Sequence, residues 1–424
     1  MTNLLRGSSG QRAQVELPEF PGFFFGFTLL VAVSRGAIQV AVGQSLAYLV
    51  QTVVVASFVI YVLLRNRPVA TPWAKKAKFF VGAFVLVAIV SSGVSLWLND
   101  IEFGLLLAAV MGFVAILIAG GASLDLRWKG MHRAGNAVVV VVLVQVAVAT
   151  FQQVFNDYTL PGNTHLREIL RPAALTGSYL HYPIVLALLS LALVGMYAAH
   201  RRWTYILTAL IGMAAVILSQ SRSGMVLVFV GLAVGTVFLR GLGGRLRILL
   251  GAVFAVATLL IAFPDSNILG RFLSIGVVEG SVNEIRVGIW DNVLDLWARS
   301  PLLIGSHTGE FTNVTNRLTE AEKAGITESG VLALLINFGI LGLLTFYGLM
   351  ITAVLSAPKR SWYQAALVAA IVQSFFYQSV EVFPFMVVFA MIPLIGRAFD
   401  ADAPPRSPKK STSADRHLSR VGRR

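Results

Sequence analysis

The chain has 424 residues, 56% of them hydrophobic and only 13% charged, with a formal net charge of +14. A soluble globular domain of this length would have to expose much of that apolar surface, so the composition excludes this class. The absence of cysteine excludes disulfides, thiolate metal sites and cysteine nucleophiles. The basic residues lie in short segments between apolar runs rather than in one patch, and we therefore predict no nucleic-acid partner.

Apolar runs of about 20 residues recur from Phe23 to Leu394. Because a run of that length crosses a bilayer as a helix, the sequence predicts an all-α polytopic membrane protein with about 12 transmembrane helices. Residues 1–21 end in no small-residue cleavage site, so no removable signal peptide is expected. The predicted spans are residues 20–35, 44–64, 79–98, 103–121, 135–152, 179–198, 204–218, 222–239, 248–263, 327–355, 363–380 and 383–398.

Alternating these spans across the bilayer places most basic residues on one side, which the positive-inside rule identifies as the cytoplasm. Residues 1–19 are then a cytoplasmic amino terminus and residues 20–398 a transmembrane domain. Residues 399–424 form a basic cytoplasmic tail, predicted to be disordered and to contact anionic membrane lipids. The cytoplasmic connections of this topology are residues 65–78, 127–133, 200–202, 240–247 and 358–360.

Two predicted external segments, residues 153–178 and 264–326, are too long to be turns. The second lies between helices 9 and 10 and contains residues 283–301, whose apolar side chains recur at helical spacing. We predict a short amphipathic helix there, which lies on or in the outer interface and ends at Pro301. Its apolar stripe consists of Ile289, Trp290, Val293, Leu294 and Trp297.

Four segments follow one another in a specific order along the chain. They are "RPAALTGSYLHYPIVLALL" (171–189), "SQSRSG" (219–224), "IRVGIWDNVLDLWARSPLLIGSHTGEF" (285–311) and "TESGVLALLINFGILGLLTFYGLM" (327–350). Together they resemble the O-antigen ligase and Wzy-type O-antigen polymerase superfamily of bacterial envelope enzymes. The third segment is similar to the family's Arg, Trp and Pro-x-x-x-Gly run, and the fourth carries its paired glycines, Gly339 and Gly342.

The resemblance implies a membrane glycosyltransferase with the helical GT-C fold. Such an enzyme transfers a glycan from a polyprenyl diphosphate carrier to a hydroxyl of a glycan or lipid-linked acceptor outside the plasma membrane. Inversion without a metal or cofactor is expected, and a chain-length regulator is a further conceivable partner. Ligases of this family carry a His-Asn pair before the Gly-x-x-Gly helix, where this chain has Thr327-Glu328-Ser329. This departure favours a polymerase of O-antigen or exopolysaccharide repeats, with a lipid A-core ligase as the alternative.

The chemistry of a diphosphate leaving group points to Arg222. The leaving diphosphate is negatively charged, so the enzyme must hold positive charge next to it before the bond breaks. Enzymes supply this charge with a metal or with arginine and lysine. Arg222 stands at a predicted helix start between Ser221 and Ser223. There the free backbone N–H groups of Ser223 and Gly224 and the helix dipole also favour an anion.

Two further arginines are candidate diphosphate ligands. Arg286 and Arg171 each lie at the edge of a predicted external element. For all three arginines the alternative is a side chain that merely reaches lipid headgroups. Arg35, between the first two spans and far from the four segments in sequence, is interpreted as a lipid anchor. The external segments contain no Asp-x-Asp pair and no His-x-x-x-His, so we predict no metal site.

An acceptor hydroxyl needs a base within hydrogen-bond reach, and Glu328 is our first candidate. We place it one residue into a helix that Thr327 caps; the alternative is a carboxylate favoured there only by the helix dipole. His307 and Glu310, in "GSHTGEF", are the next candidates.

Three aromatic or histidine side chains are candidate contacts for the sugar or the lipid. His181 begins a predicted helix and could touch the phosphate or lie at the interface. Trp290 and Tyr179 could stack on sugar faces or belong to an ordinary aromatic belt.

A transporter or flippase that moves the lipid-linked glycan without chemistry is the rival from another class. Such proteins keep ionisable residues near the membrane midplane and often contain repeats. Here the candidate residues gather on one side, and no internal repeat relates the two halves. The sequence therefore favours the enzyme.

Overall fold

The computed structural model of the chain describes residues 17–99, 103–157, 171–238, 282–312 and 327–403, and every structural statement below concerns these residues. They form α1 Gly22–Val33, α2 Arg35–Val42, α3 Gln44–Arg65, α4 Ala74–Asn99, α5 Gly104–Ser123, α6 His132–Phe155, α7 His181–His200, α8 Trp203–Leu218, α9 Arg222–Phe238, α10 Val282–Arg299, α11 Gly330–Ser356, α12 Trp362–Ser374 and α13 Phe383–Asp402. Two short strands, β1 Val69–Ala70 and β2 Leu124–Asp125, pair antiparallel, and 3-10 turns occupy Ala174–Thr176 and Ser379–Glu381.

The described helices are those of a polytopic membrane protein. Seven of them, α3 to α7, α11 and α13, are long and apolar enough to cross a membrane, and the number is eight if α1 and α2 count as one span bent by 74°. The helices α8, α9 and α12 are apolar but shorter. Eleven of the twelve predicted spans thus coincide with a helix, whereas the predicted span 248–263 and the tail beyond residue 403 lie outside the described residues. The predicted total of twelve stays a prediction.

The contacts of two glycines of α9 show in which direction α7, α9 and α12 run relative to one another. Gly224, near the start of α9, lies against Pro183, near the start of α7, so these two helices run in parallel. Gly235, near the end of α9, lies against Trp362 at the start of α12, so α12 runs the opposite way. With a rise of about 1.5 Å per residue, Ser374 at the end of α12 is then level with the first turn of α9. We call this end of the bundle, where α7, α9 and α11 begin, the site face.

The opposite end, which we call the basic face, carries Arg127, Lys129, Arg201 and Lys359. Here the guanidinium of Arg397, near the end of α13, joins three helices. It donates to the carbonyls of Ser356 at the end of α11 and Gly121 in α5, both at 2.7 Å, and to that of Leu124. These carbonyls at helix ends have no intrahelical partner, so Arg397 caps α5 and α11 together.

Replacing Arg397 with methionine keeps the apolar stem and removes all of these donors. We expect the free energy of unfolding to fall by about 3 kcal/mol, because buried carbonyls lose their partner. Thermal unfolding of the purified protein in detergent measures the effect. Lys359→Met, an exposed lysine of the same face, is the matched control; equal melting temperatures for the two variants would contradict the capping role.

Candidate functional site

The turn between α8 and α9 presents Arg222 at the site face. As predicted, α9 begins at Arg222, which is half-buried like Ser223. Ser221 is buried; its Oγ lies 3.2 Å from Oγ of Ser223 and accepts the backbone N–H of Gly224 at 3.4 Å. The prediction of a free N–H on Gly224 is therefore wrong, because the serine side chain caps the helix. Gln220 makes the turn possible with a left-handed backbone (φ 55°).

His181 lies beside this turn. It is the first residue of α7, as predicted, and only 3% exposed. A Cβ added to Gly224 would lie 2.7 Å from Cβ of Pro183, so the first turns of α7 and α9 are in direct contact. The structure therefore brings His181 and Arg222 to the same level of two adjacent helices.

Two glutamines of α6 hold the segment that contains Arg171. Oε1 of Gln152 accepts the N–H groups of Ala173 and Ala174 at 3.0 and 2.9 Å, and Oε1 of Gln145 accepts that of Leu175 at 3.1 Å. Both glutamines are at most 1% exposed. A polar side chain at membrane depth needs a hydrogen-bond partner. Two glutamines within a predicted span therefore indicated a buried contact, which our sequence interpretation missed.

Arg171 itself stacks on Tyr179. Its Cζ lies 5.6 Å from the centroid of the tyrosine ring, within cation–π range. Both side chains are half-buried. One face of Tyr179 is thus covered by a guanidinium, which leaves at most the other face for a sugar.

Glu328 stands before α11 rather than inside it. The helix begins at Gly330, and its N-cap is Ser329, whose side chain accepts the N–H of Leu332. The prediction that Thr327 is the N-cap and Glu328 the first helical residue is therefore wrong. Ser329 has the extended backbone that an N-cap requires, whereas Glu328 adopts a left-handed conformation with φ 50°. Such a conformation is uncommon for glutamate and is found where the surrounding structure imposes it.

Hydrogen bonds to Trp290 and Gln378 hold Thr327, next to Glu328. Its carbonyl accepts from Nε1 of Trp290 at 2.8 Å, so the indole nitrogen of this candidate sugar contact is already engaged. Its hydroxyl donates to Oε1 of Gln378 at 2.8 Å, and Nε2 of Gln378 donates to the carbonyl of Phe311, also at 2.8 Å. Gln378, which the sequence interpretation missed, therefore joins the segment of Glu328 to that of His307 and Glu310.

His307 and Glu310 form a pair. Nδ1 of His307 lies 2.6 Å from Oε2 of Glu310, and its Nε2 lies 3.1 Å from Oγ of Ser300. The side chains of the histidine and the glutamate are 16% and 33% exposed. The structure thus brings these two residues together and adds Ser300, which closes α10 by donating to the carbonyl of Leu296 at 2.7 Å.

The loop that carries His307 enters a break in α11. Gly339 has φ 66° inside the helix, and beyond it the N–H groups of Ile340 and Leu341 donate to the carbonyls of Leu302 and Leu303 at 3.1 and 3.0 Å. The Pro-x-x-x-Gly segment (301–305) and the Gly-x-x-Gly segment (339–342) therefore contact each other through their backbones.

Buried polar side chains of α4 and α11 receive the same loop. Oδ1 of Asn337 accepts the N–H of Gly309 at 2.7 Å, its carbonyl accepts the hydroxyl of Thr308 at 2.8 Å, and Oγ of Ser95 accepts the N–H of Thr308 at 2.9 Å. All of these side chains are at most 1% exposed. Irregular backbone at membrane depth requires such partners, and the serines of "SSGVS" (91–95) were the signal in the sequence.

The helix α10 confirms the helix predicted within residues 283–301, but its apolar side chains contact other parts of the protein. Val293 is buried and, with Ile289 and Trp297, packs against Phe311 and Ile336. The helix therefore packs on α11 and does not merely lie on the outer interface. The predicted stripe is wrong at Leu294, which is 40% exposed. Arg286 belongs to the second turn of α10, and its side chain lies outside the described part of the structure.

Residues 206–347 match the sequence model of a family described as O-Antigen ligase. This match covers about a third of the chain and supports its resemblance to the O-antigen ligase and Wzy-type polymerase superfamily. Its members are glycosyltransferase-like enzymes that act as ligases or polymerases of envelope glycans. No curated protein matches the chain.

The superfamily match begins in α8 and ends in α11, beyond the break at Gly339. It therefore includes the Arg222 turn, α10 with its following loop, and Glu328, whereas the Arg171 segment precedes it. Within the described ranges, no group of three or more histidine, aspartate or glutamate side chains is placed to hold a metal ion. Metal independence stays a prediction, since residues 239–281 and 313–326 are not described.

Proposed function

We propose that the protein polymerises polyprenyl-diphosphate-linked repeats of an O-antigen or exopolysaccharide, as a metal-independent enzyme of the GT-C type. The observation that carries this proposal is the meeting of helix starts at the site face. A Cβ added to Gly330 would lie 2.8 Å from the carbonyl oxygen of Ser374, so the start of α11 abuts the end of α12. That end is level with Arg222 and His181, and Glu328 lies two residues before Gly330.

The charges support an external position for this site. The basic face would contact the cytoplasm according to the positive-inside rule, together with both chain ends. The site face then opens to the outer side of the bacterial inner membrane, where the lipid-linked donor and its acceptor would meet.

The proposed reaction separates diphosphate binding from proton transfer. Arg222, assisted by Arg171 and by Ser221 and Ser223, would bind the diphosphate, since a guanidinium grips phosphate oxygens through two hydrogen bonds. The acceptor hydroxyl attacks the anomeric carbon of the donor while Glu328 takes its proton. The bond between that carbon and the phosphate oxygen breaks, and the polyprenyl diphosphate leaves with the electron pair. Attack opposite the leaving group inverts the anomeric configuration.

A second base is supported by a specific contact. The carboxylate of Glu310, 2.6 Å from Nδ1 of His307, can orient the ring so that Nε2 would accept the proton. Nε2 now faces Ser300, and an acceptor hydroxyl would have to displace that contact. We retain Glu328 as the first candidate because it stands where ligases of the family carry histidine.

Purified protein mixed with a lipid-linked oligosaccharide repeat tests the proposal. We expect a ladder of products on a gel and a loss of about 10²–10³ in rate for Arg222→Ala, since it removes a charge that stabilises the leaving group. Arg222→Lys is expected to lose about tenfold, because one point charge replaces the bidentate fork. Arg299→Lys, an exposed arginine at the end of α10, is the matched control.

Each other result has a defined meaning. Transfer only after addition of lipid A-core would establish the ligase instead of the polymerase. Full activity of Arg222→Lys would remove Arg222 from the diphosphate site. Lipid binding without product from any acceptor would favour the transporter.

A further inference from the structure

A cavity of about 610 Å³ opens on the basic face, at the ends of four membrane-spanning helices. Its walls come from the residues before α4, from β2 and the loop that follows it, and from the ends of α11 and α13. Because a span of this length ends where the hydrocarbon core ends, the cavity lies at the depth of the lipid headgroups. We call it the basic-face cavity.

Three exposed cations line the basic-face cavity. They are Arg127 and Lys129, in the loop after β2, and Lys359, in the loop after α11. None of the three forms an ion pair with a residue of the described ranges. Unpaired cations at headgroup depth attract the phosphate of a lipid.

Carboxylates line the same cavity, and those cations do not pair with them. Asp125 lies 3.8 Å from Nε of Arg397, and Asp402 accepts the backbone N–H of Met131 at 3.1 Å. Asp400 is exposed and forms no ion pair within the part of the chain that the structure describes. Charges of both signs that stay apart in one cavity complement a ligand that itself carries both charges.

An exposed apolar stripe of α11 leads from the cavity into the membrane. Leu355, which lines the cavity, is 42% exposed. Ile351 and Leu344 precede it by four and eleven residues, which places all three on one face of the helix, and they are 49% and 60% exposed. The acyl chains of a lipid would pack along this stripe while its headgroup enters the cavity. The stripe therefore favours a membrane lipid over a soluble zwitterion.

Arg35, in contrast, does not face the lipid. It is 6% exposed, and its Cζ lies 4.0 Å from the centroid of the Tyr48 ring. The interpretation of Arg35 as a lipid anchor is therefore wrong, because the bend of 74° between α1 and α2 leaves the side chain inside the protein.

We propose that the basic-face cavity binds a zwitterionic phospholipid with a primary ammonium headgroup, of the phosphatidylethanolamine class. Arg127 and Lys129 bind its phosphate, and its ammonium donates to the carboxylate of Asp400. The trimethylated ammonium of phosphatidylcholine has no N–H to donate, and phosphatidylglycerol has no cation. The bound lipid joins the ends of four helices and stabilises the folded protein by mass action. This inference does not depend on the proposed function.

Native mass spectrometry of the delipidated full-length protein in detergent, with one added lipid at a time, tests the inference. With matched acyl chains, we expect phosphatidylethanolamine to bind about tenfold more tightly than phosphatidylcholine or phosphatidylglycerol, because it alone uses both the cations and Asp400. Asp400→Asn is expected to abolish the preference over phosphatidylcholine. Arg127→Gln is expected to weaken the binding of both lipids, since their phosphate loses a partner. Arg65→Gln, at an exposed arginine outside the cavity, is the matched control and is expected to change neither.

Three results would overturn the inference. Equal binding of the three lipids, or an unchanged preference in Asp400→Asn, would show that the headgroup is not recognised. An equal effect of Arg65→Gln and Arg127→Gln would assign the binding to general surface charge. Soluble phosphoethanolamine that binds as tightly as the lipid would assign the cavity to a soluble ligand. None of these measurements involves glycan transfer, so each outcome leaves the proposed function to its own test.

Discussion

Glu328→Gln is expected to lower the rate of glycan transfer by about 10²–10⁴, the usual contribution of a general base. The amide has the same shape as the carboxylate, so the hydrogen bonds around Thr327 stay in place. The melting temperature should therefore not change. The initial rate of ladder formation and a thermal unfolding curve, measured on the same preparation, give both quantities.

Glu310→Gln is the matched variant for the other candidate base. It removes the carboxylate that lies 2.6 Å from His307 and leaves Glu328 untouched. A larger loss of rate in Glu310→Gln than in Glu328→Gln would transfer the role of base to the His307–Glu310 pair.

The backbone of Glu328 offers a second test of its role. A non-glycine residue in the left-handed region costs about 1 kcal/mol relative to glycine. Glu328→Gly is therefore expected to raise the melting temperature or leave it unchanged while activity is lost. A fall in both the melting temperature and the activity would show that Glu328 serves the structure rather than the reaction. Relief of strain at a functional residue would instead raise the melting temperature while activity falls.

Neither Gly305 in the His307 loop nor Gly339 at the break in α11 should tolerate a side chain, because the two backbones are in close contact there. A Cβ at Gly305 would lie 2.8 Å from backbone atoms of Ile336, Asn337 and Gly339, and the φ of Gly305 is 66°. A Cβ at Gly339 would overlap the backbone of Leu303. We expect Gly305→Val and Gly339→Val to lose more than about 4 kcal/mol, the range reserved for severe core disruption, and therefore to yield no monodisperse protein.

Glycines without close neighbours provide the control for that prediction. A Cβ at Gly82 of α4 or Gly288 of α10 meets nothing within 4 Å. Gly→Ala at either position is expected to be neutral or to stabilise the helix by up to about 1 kcal/mol. Size-exclusion chromatography and thermal unfolding compare all four variants; monodisperse Gly305→Val with an unchanged melting temperature would contradict the close backbone contact.

Several features of this protein could be predicted from local sequence alone. The apolar runs predicted the helices because a membrane span must satisfy its backbone internally and bury its side chains in lipid. The starts of α7 at His181 and α9 at Arg222 also followed from sequence. The start of α11 did not follow from sequence. Thr327 and Ser329 are both residue types that cap helices; in the structure the Thr327 hydroxyl bonds Gln378, and Ser329 is the cap.

Hydropathy and the order of the motifs predict a polytopic membrane protein and its likeness to the superfamily, because both depend on residues that are near one another in the chain. The set of residues that share the site depends instead on how the helices pack. Val33 and Leu175 are separated by more than a hundred positions and are joined through Gln145. The loop of His307 reaches the break at Gly339 through backbone carbonyls, which no side-chain pattern encodes. Such contacts follow from helix packing, whose partners periodicity cannot specify.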